Sequence, residues 1–306
     1  MCGIVGLFLK NEHLQPSLGA LTARMLTVMS ERGPDSAGFA IYGTGGTGIV
    51  KVTARMHVSR DRGAAAPASL DLIAAEMRRN GYLQVEPALH DSHVVLRVPA
   101  PLLSAARVWL QEHHPLLEIV SIGHRMEIYK EVGLPDKVAA RFELASMPGT
   151  HAIGHTRMAT ESSVTTQGAH PFSTGIDQCL VHNGSLSNHN AVRRKLQREG
   201  LTFETENDSE VAAGFLSWRM RAGASLKQAL ADSLAELDGF YTFVVGTERG
   251  FAVLRDPISC KPAVMAETED YVAFGSEYRA LADLPEIESA RVFEPDPATV
   301  YVWEHE

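Results

Sequence analysis

The chain opens Met1-Cys2-Gly3-Ile4-Val5-Gly6-Leu7-Phe8, and the reading of its second residue decides how everything downstream is understood. If Met1 is removed, Cys2 becomes the amino terminus and a single residue carries both a thiol and a free amine. A thiolate is a strong nucleophile, and an α-amino group with a pKa of about 7.7 to 8 can carry a proton near neutral pH, so such a residue can run acyl transfer by itself. Residues 4 to 9, Ile-Val-Gly-Leu-Phe-Leu, read as a buried strand and would seat that thiol at a strand end. The same residues also fit an ordinary edge strand loosened by Gly3 and Gly6, with an inert cysteine in front of it. The choice between these readings falls to the rest of the chain.

Composition narrows the field. At 306 residues, 45% hydrophobic and 21% charged, the chain has room for one large domain or two ordinary ones with a substantial core. A formal net charge of -9 and the lack of any Lys/Arg run argue against nucleic acid or an anionic membrane as the main partner, and so favour a small soluble substrate. The 3 cysteines, Cys2, Cys179 and Cys260, are too few and too scattered for a disulfide framework or a cysteine-based zinc site. The amino terminus lacks the pattern of a secretory leader and no apolar run reaches roughly 18 residues, so the expected compartment is the cytoplasm.

Taken in order, the apolar spacing of Leu18, Leu21, Met25 and Met29 predicts a helix opened by Pro16-Ser17 and ended by Gly33-Pro34. Residues 36–42 and 48–53 read as two strands joined into a hairpin by Gly43-Thr44-Gly45-Gly46; that glycine run lacks the GxxxxGK[ST] pattern and is not followed by a helix, which argues against a phosphate loop. From about 54 to 144 the texture changes to alternating helices (70–79, 102–113) and strands (93–98, 117–122, 125–129), the pattern of a small α/β subdomain inserted into a larger fold. His113-His114 are adjacent on a helix and point apart, so they read as surface or helix C-terminus and not as metal ligands.

Chemistry returns at 151–160. His151 and His155 have the spacing of a helical zinc pair, but Gly154 and the β-branched neighbours favour a strand and no catalytic Glu lies between them, so the zinc-protease reading fails. Arg157 at a strand end suits either a bidentate clamp on a carboxylate or a plain salt bridge. Asn183-Gly184 is first a turn signal; the alternative is an oxyanion hole built from the Asn amide and the Gly N–H. Asp208, at the start of a helix, is either a capping acid or a binding carboxylate.

Together the blocks 2–6 (Cys-Gly-Ile-Val-Gly), 32–38 (Arg-Gly-Pro-Asp-Ser-Ala-Gly), 154–160 (Gly-His-Thr-Arg-Met-Ala-Thr), His170-Pro171, 181–184 (Val-His-Asn-Gly), 207–210 (Asn-Asp-Ser-Glu), 255–257 (Arg-Asp-Pro) and 275–277 (Gly-Ser-Glu) resemble, in family order, the glutaminase domain of class II, N-terminal-nucleophile glutamine amidotransferases. The resemblance covers roughly 1–55 and 146–306. It implies an α+β fold, a four-layer αββα sandwich of two antiparallel sheets, spanning 1–306 and interrupted by the inserted α/β subdomain at about 55–145. It implies that Cys2 is the nucleophile with its own amine as base, that Asn183 and Gly184 form the oxyanion hole, that Arg157 takes the glutamine α-carboxylate and Asp208 its α-ammonium, and that Arg32 and Gly33 lie over the thiol. Thr160 and His170, inside the matching blocks, join the substrate-binding set. The implied reaction is hydrolysis of L-glutamine to glutamate and ammonia through a thioester.

The resemblance places no cofactor or metal in this chain. Two departures stand out: the long interval between Arg32 and Arg157, which is the insertion, and Glu161, where sugar-phosphate amidotransferases tend to carry His. With no synthase portion in the sequence, ammonia would pass to a separate synthase subunit. The chain looks most like the amidotransferase-type subunit of N-methylglutamate synthase and split glutamate synthases, whose partner chains would hold any flavin. The rival readings are a catalytically silent glutamine-sensing or structural subunit, and a hydrolase of the same fold acting on another amide.

Overall fold

The structure, a computed structural model, describes residues 2–46, 48–56, 70–82, 84–159 and 163–305. In chain order its strands and longer helices are β1 (Gly3–Leu9), α1 (Leu18–Val28), β2 (Ser36–Tyr42), β3 (Ile49–Met56), α2 (Leu70–Arg79), β4 (Glu86–His90), β5 (His93–Pro99), α3 (Leu103–His113), β6 (Leu117–Gly123), β7 (Met126–Val132), α4 (Pro135–Arg141), β8 (His151–Arg157), β9 (Phe172–Gly175), β10 (Gln178–Leu186), α5 (His189–Arg198), α6 (Asp208–Arg221), α7 (Leu226–Glu236), β11 (Gly239–Thr247), β12 (Gly250–Arg255), β13 (Val264–Glu267), β14 (Tyr271–Gly275), β15 (Arg291–Phe293) and β16 (Val300–Glu304).

These strands form a seven-stranded sheet, β15-β13-β14-β1-β8-β2-β7, a five-stranded sheet, β16-β12-β11-β10-β9, and a four-stranded sheet, β4-β5-β3-β6. The pairings are antiparallel, and β1 lies between β14 and β8, with Gly3 opposite Thr156 and Val5 opposite Gly275.

Period-two alternation makes the layers. Along β1, Ile4 and Phe8 face the five-stranded sheet, where they meet Val181, Val244, Phe251 and Val253; Val5, Leu7 and Leu9 face the opposite way, onto Leu18, Leu21, Met25 and Leu26 of α1. The far side of the five-stranded sheet, through Leu180, Phe243, Val245, Ala252 and Leu254, packs on α5, α6 and α7. Helix, sheet, sheet and helix therefore stack as αββα with an apolar core at each of the three contacts. The four-stranded sheet has its own core, where Val52, Val94, Leu96 and Val98 pack on Ile73 and Met77 of α2 and Trp109 and Leu110 of α3.

Two expectations are corrected: the strand read at 125–129 as part of the inserted subdomain is β7, which pairs with β2 in the seven-stranded sheet, and the hairpin read at 36–53 does not form. β2 and β3 do not form a hairpin: β2 pairs with β7 and β8, while β3 pairs with β5 and β6 in the four-stranded sheet. All seven residues of β2 are buried, so this strand needs a neighbour on either side and sits inside the seven-stranded sheet. Gly43 to Gly46 serve as a crossing between sheets. His151 and His155 lie two turns of the pleat apart on β8, as the strand reading requires, and His113 and His114 end α3, where His114 Nε2 meets Glu76 at 3.0 Å. Among the described residues no helix is long and apolar enough to cross a membrane, and none of the His, Cys, Asp and Glu side chains cluster in threes or more to hold a metal.

Burial also sets the acid limit of the fold. Desolvation lowers the pKa values of His93, His151 and His155 to about 3 each, so all three are neutral in the folded chain at neutral pH. Below the unfolded value of about 6.5 the unfolded chain takes up protons that the folded chain refuses, so stability falls as pH drops from about 6.5 towards 3. At pH 5.5 each histidine is expected to cost about 1 kcal/mol relative to pH 7.5. Urea midpoints at the two pH values check this; equal midpoints would contradict it.

Candidate active site

Cys2 precedes β1, and β1 runs in the middle of the seven-stranded sheet, so the thiol sits at a sheet end fixed by pairing on two sides. Its Sγ lies 3.8 Å from the Met158 carbonyl oxygen, just past the end of β8. The Cys2 carbonyl accepts two hydrogen bonds, from Arg32 Nε at 3.0 Å and from Asn183 Nδ2 at 3.2 Å. Arg32 is 7% exposed and its other end is ion-paired to Glu277, whose carboxyl is held below its usual range first of all by that hydrogen bond. Glu277 also takes Arg279 Nε at 2.6 Å. Of the other thiols, Cys179 is buried and desolvation pushes it up to about 12, while Cys260 is exposed. Only Cys2 combines access with a set of polar neighbours.

Arg32, whose Nε reaches the Cys2 carbonyl, is followed by Gly33. A Cβ there would lie 2.3 Å from the Thr156 carbonyl carbon and 2.4 Å from Arg157 N, so only glycine lets this turn press against the end of β8. Asp35 closes the same corner, accepting from Ala159 N at 2.8 Å through Oδ2 and donating its own N–H to Arg157 O at 3.0 Å. Arg157 ends β8 opposite Ser36 and is 7% exposed.

Asn183 and Gly184 do not turn the chain. They lie inside β10, paired with Thr242 and Tyr241 of β11. Gly184 has φ +149, and a Cβ there would stand 2.0 Å from the Phe240 carbonyl oxygen and 2.9 Å from His182 Nε2. Glycine is thus required by a close backbone crossing at the point where Asn183 reaches Cys2. Nor is Asp208 the helix cap: Asn207 fills that role, with Oδ1 accepting from Ser209 N at 2.9 Å. Asp208 is left to accept the Leu186 N–H at 2.9 Å, which ties it to the strand that carries Asn183.

His170 is 5% exposed and stands behind these groups, its ring stacked at 4.0 Å on His155 and its Nε2 2.8 Å from Ser209 Oγ. Thr160, together with Glu161 and Met1, lies outside the described residues. The structure therefore gathers Cys2, Arg32, Gly33, Arg157 and Met158 at one corner, joins Asn183 to it directly, and links Asp208 to Asn183 through β10. It adds Asp35, His182, Ser209 and Glu277, whose contacts sequence spacing does not give.

Comparison with known proteins accords with this geometry. A family described as "Glutamine amidotransferase domain" matches residues 155–283. The Glutamine amidotransferase-like protein GlxB of Rhizobium meliloti (strain 1021) is 57% identical over 309 residues, covering 100% of this chain and 99% of that one. The isomerizing glutamine–fructose-6-phosphate aminotransferase of Aliivibrio fischeri (strain ATCC 700601 / ES114) is 35% identical over 131 residues, covering 43% of this chain and 21% of that one. Among solved structures, the glutamine phosphoribosylpyrophosphate amidotransferase of B. subtilis superposes with a TM-score of 0.61 at 20% identity, covering 99% of this chain. The chain spans about half the length of that structure, 47%, and the likeness bears on the fold, an αββα sandwich. Given a relative at 57% identity along the whole chain, this protein belongs to the class II glutamine amidotransferase family.

Proposed function

We propose that the chain hydrolyses L-glutamine to glutamate and ammonia, with Cys2 as nucleophile after loss of Met1. The observation that carries the reading is the junction at Cys2, where the thiol, the Arg32 clamp and the Asn183 amide meet around one residue at the end of β1. The Cys2 sulfur attacks the glutamine δ-carbon and its proton passes to the α-amine. Asn183, through the second N–H of its amide, and the Gly184 N–H receive the oxyanion. Collapse breaks the C–N bond, the α-ammonium returns the proton to the leaving nitrogen, and ammonia departs, leaving a γ-glutamyl thioester. Water then attacks the thioester and restores the thiol. Arg157 holds the α-carboxylate with two parallel hydrogen bonds and Asp208 the α-ammonium.

Ammonia then passes to a separate synthase subunit, of N-methylglutamate synthase or glutamate synthase type. Support comes from the sequence resemblance and from the full-length match to a relative of this same size, whereas in the aminotransferase the matched part is 21% of the protein.

The test is glutamate release from glutamine by chain whose intact mass shows Met1 removed, with and without the synthase chains. Release is expected, and none under either condition overturns the reading. Arg157→Ala is expected to raise KM for glutamine about 100-fold with a smaller change in kcat, since a bidentate charged contact is worth roughly 3 kcal/mol. An unchanged KM would remove Arg157 from the carboxylate site.

A further inference from the structure

Beside Asp208 lies a buried cluster, Ser209, His170, His182 and His155, that the reaction above does not use. Ser209 Oγ, on a residue 1% exposed, stands 2.8 Å from His170 Nε2, 2.9 Å from His182 Nδ1 and 3.3 Å from Asp208 Oδ1. His155, stacked on His170, donates Nε2–H to the His182 carbonyl at 3.1 Å. One hydroxyl thus touches side chains from three directions: the loop before β9, the strand β10 that carries Asn183, and the neighbouring acid on α6.

We propose that Ser209 is a positioning residue of the glutamine site, whose hydroxyl, held by His170 and His182, fixes the Asp208 carboxylate in the orientation that receives the substrate α-ammonium. The inference rests on the glutaminase reading and names a further determinant of the same site.

Proton counting gives the direction of the network. A serine hydroxyl has one proton and two lone pairs, and an ionised carboxylate only accepts. The contact to Asp208 Oδ1 therefore requires Ser209 to donate there, which leaves both lone pairs to accept from His170 Nε2–H and His182 Nδ1–H. Both rings are neutral at working pH, since burial above all pulls His170 well below its usual value and lowers His182, so each has one N–H to give. This assignment places the remaining ring nitrogens, His170 Nδ1 and His182 Nε2, as lone pairs, and both are buried without a hydrogen-bond partner among the described residues. An unpaired acceptor in the interior costs less than an unpaired donor, which makes this the favoured tautomer set.

The consequence is a chain of dipoles converging on one carboxylate oxygen. The other oxygen, Oδ2, is fixed by the Leu186 N–H at 2.9 Å. With both oxygens held, Asp208 is confined to one orientation. Without the hydroxyl, Oδ1 would be free to swing towards His182 Nδ1, which already lies 3.7 Å away. His182 precedes Asn183, so the same hydroxyl also sets the spacing between the ammonium and oxyanion positions.

The experiment compares glutamine with 4-carbamoylbutanoate, which is glutamine without its α-amine, used as a competitive inhibitor of the Met1-processed chain. Ser209→Ala is expected to raise KM for glutamine about tenfold, the effect of losing one hydrogen bond to a charged group, with kcat within about threefold and the inhibitor's Ki unchanged. Ser209→Thr, which keeps the hydroxyl, is expected to restore KM. Should Ser209→Ala not fold, Ser209→Cys, with a similar shape and only a weak donor, is read in the same way. An unchanged KM overturns the proposal. So does a parallel rise of KM and Ki, because general damage to the pocket does not distinguish a ligand with an α-ammonium from one without it. If the unmodified chain releases no glutamate, the glutaminase reading falls and this inference falls with it.

Discussion

Replacing Cys2 by alanine is expected to lower glutamate release by about 10,000-fold or more without unfolding the chain. The Cys2 side chain is partly exposed, with its sulfur 3.8 Å from the Met158 carbonyl, so removing the sulfur leaves no large cavity. The bonds that hold the corner together, from Arg32 Nε and Asn183 Nδ2, go to the Cys2 carbonyl oxygen and survive the change. Loss of turnover with an unchanged melting temperature is therefore the signature of a missing nucleophile. Cys179 cannot substitute, being buried with its thiol pushed up to about 12. The comparison needs processed chain on both sides, because retained Met1 would block the amine that carries the proton and silence the wild type as well. An alanine variant with more than about 1% of wild-type turnover would show that the sulfur does not attack. Normal glutamine binding by a wild type that never turns over would instead favour the silent, glutamine-sensing reading.

Sequence periodicity makes the layers legible because each strand carries its own instruction: Ile4 and Phe8 against Val5, Leu7 and Leu9 is an alternation that assigns two faces without any partner in view. Pairing is not local in this way. Gly43 to Gly46 between two apolar runs signals a hairpin, yet β2 takes β7 and β8 as partners, from far along the chain, and β3 goes to another sheet. Nothing within 36–53 distinguishes a strand that pairs with its neighbour from one that waits for a distant partner. The site divides along the same line. Cys2, Arg157 and Asn183 carry chemistry in their residue types and stand in recognisable blocks. Ser209 and His182 lie within the blocks 207–210 and 181–184, but their contacts span 27 to 39 positions, and spacing cannot show those. Asp208 reads equally as a cap or a binding acid in the sequence, and the structure gives the capping role to Asn207.

Asn183→Ala is expected to lower kcat by about 100- to 1,000-fold with little change in KM. The oxyanion exists in the transition state and not in bound glutamine, so a donor aimed at it stabilises only the former and its loss appears in kcat. The substitution carries a structural cost too, since Asn183 Nδ2 donates to the Cys2 carbonyl at 3.2 Å, and losing that bond is worth about 1 kcal/mol of stability. A stability change of that size shifts the folded population negligibly in a domain of ordinary stability, so it cannot produce a rate loss of two or three decades. Gly184→Ala is the poorer probe of the same site, because a Cβ there meets the Phe240 carbonyl oxygen at 2.0 Å and would break the β10–β11 crossing before any catalytic effect could be read. Paired measurement of kcat and melting temperature on Asn183→Ala separates the two roles. A kcat within a few-fold of wild type, with KM raised, would make Asn183 a holder of Cys2 and of substrate, and the oxyanion would need another donor.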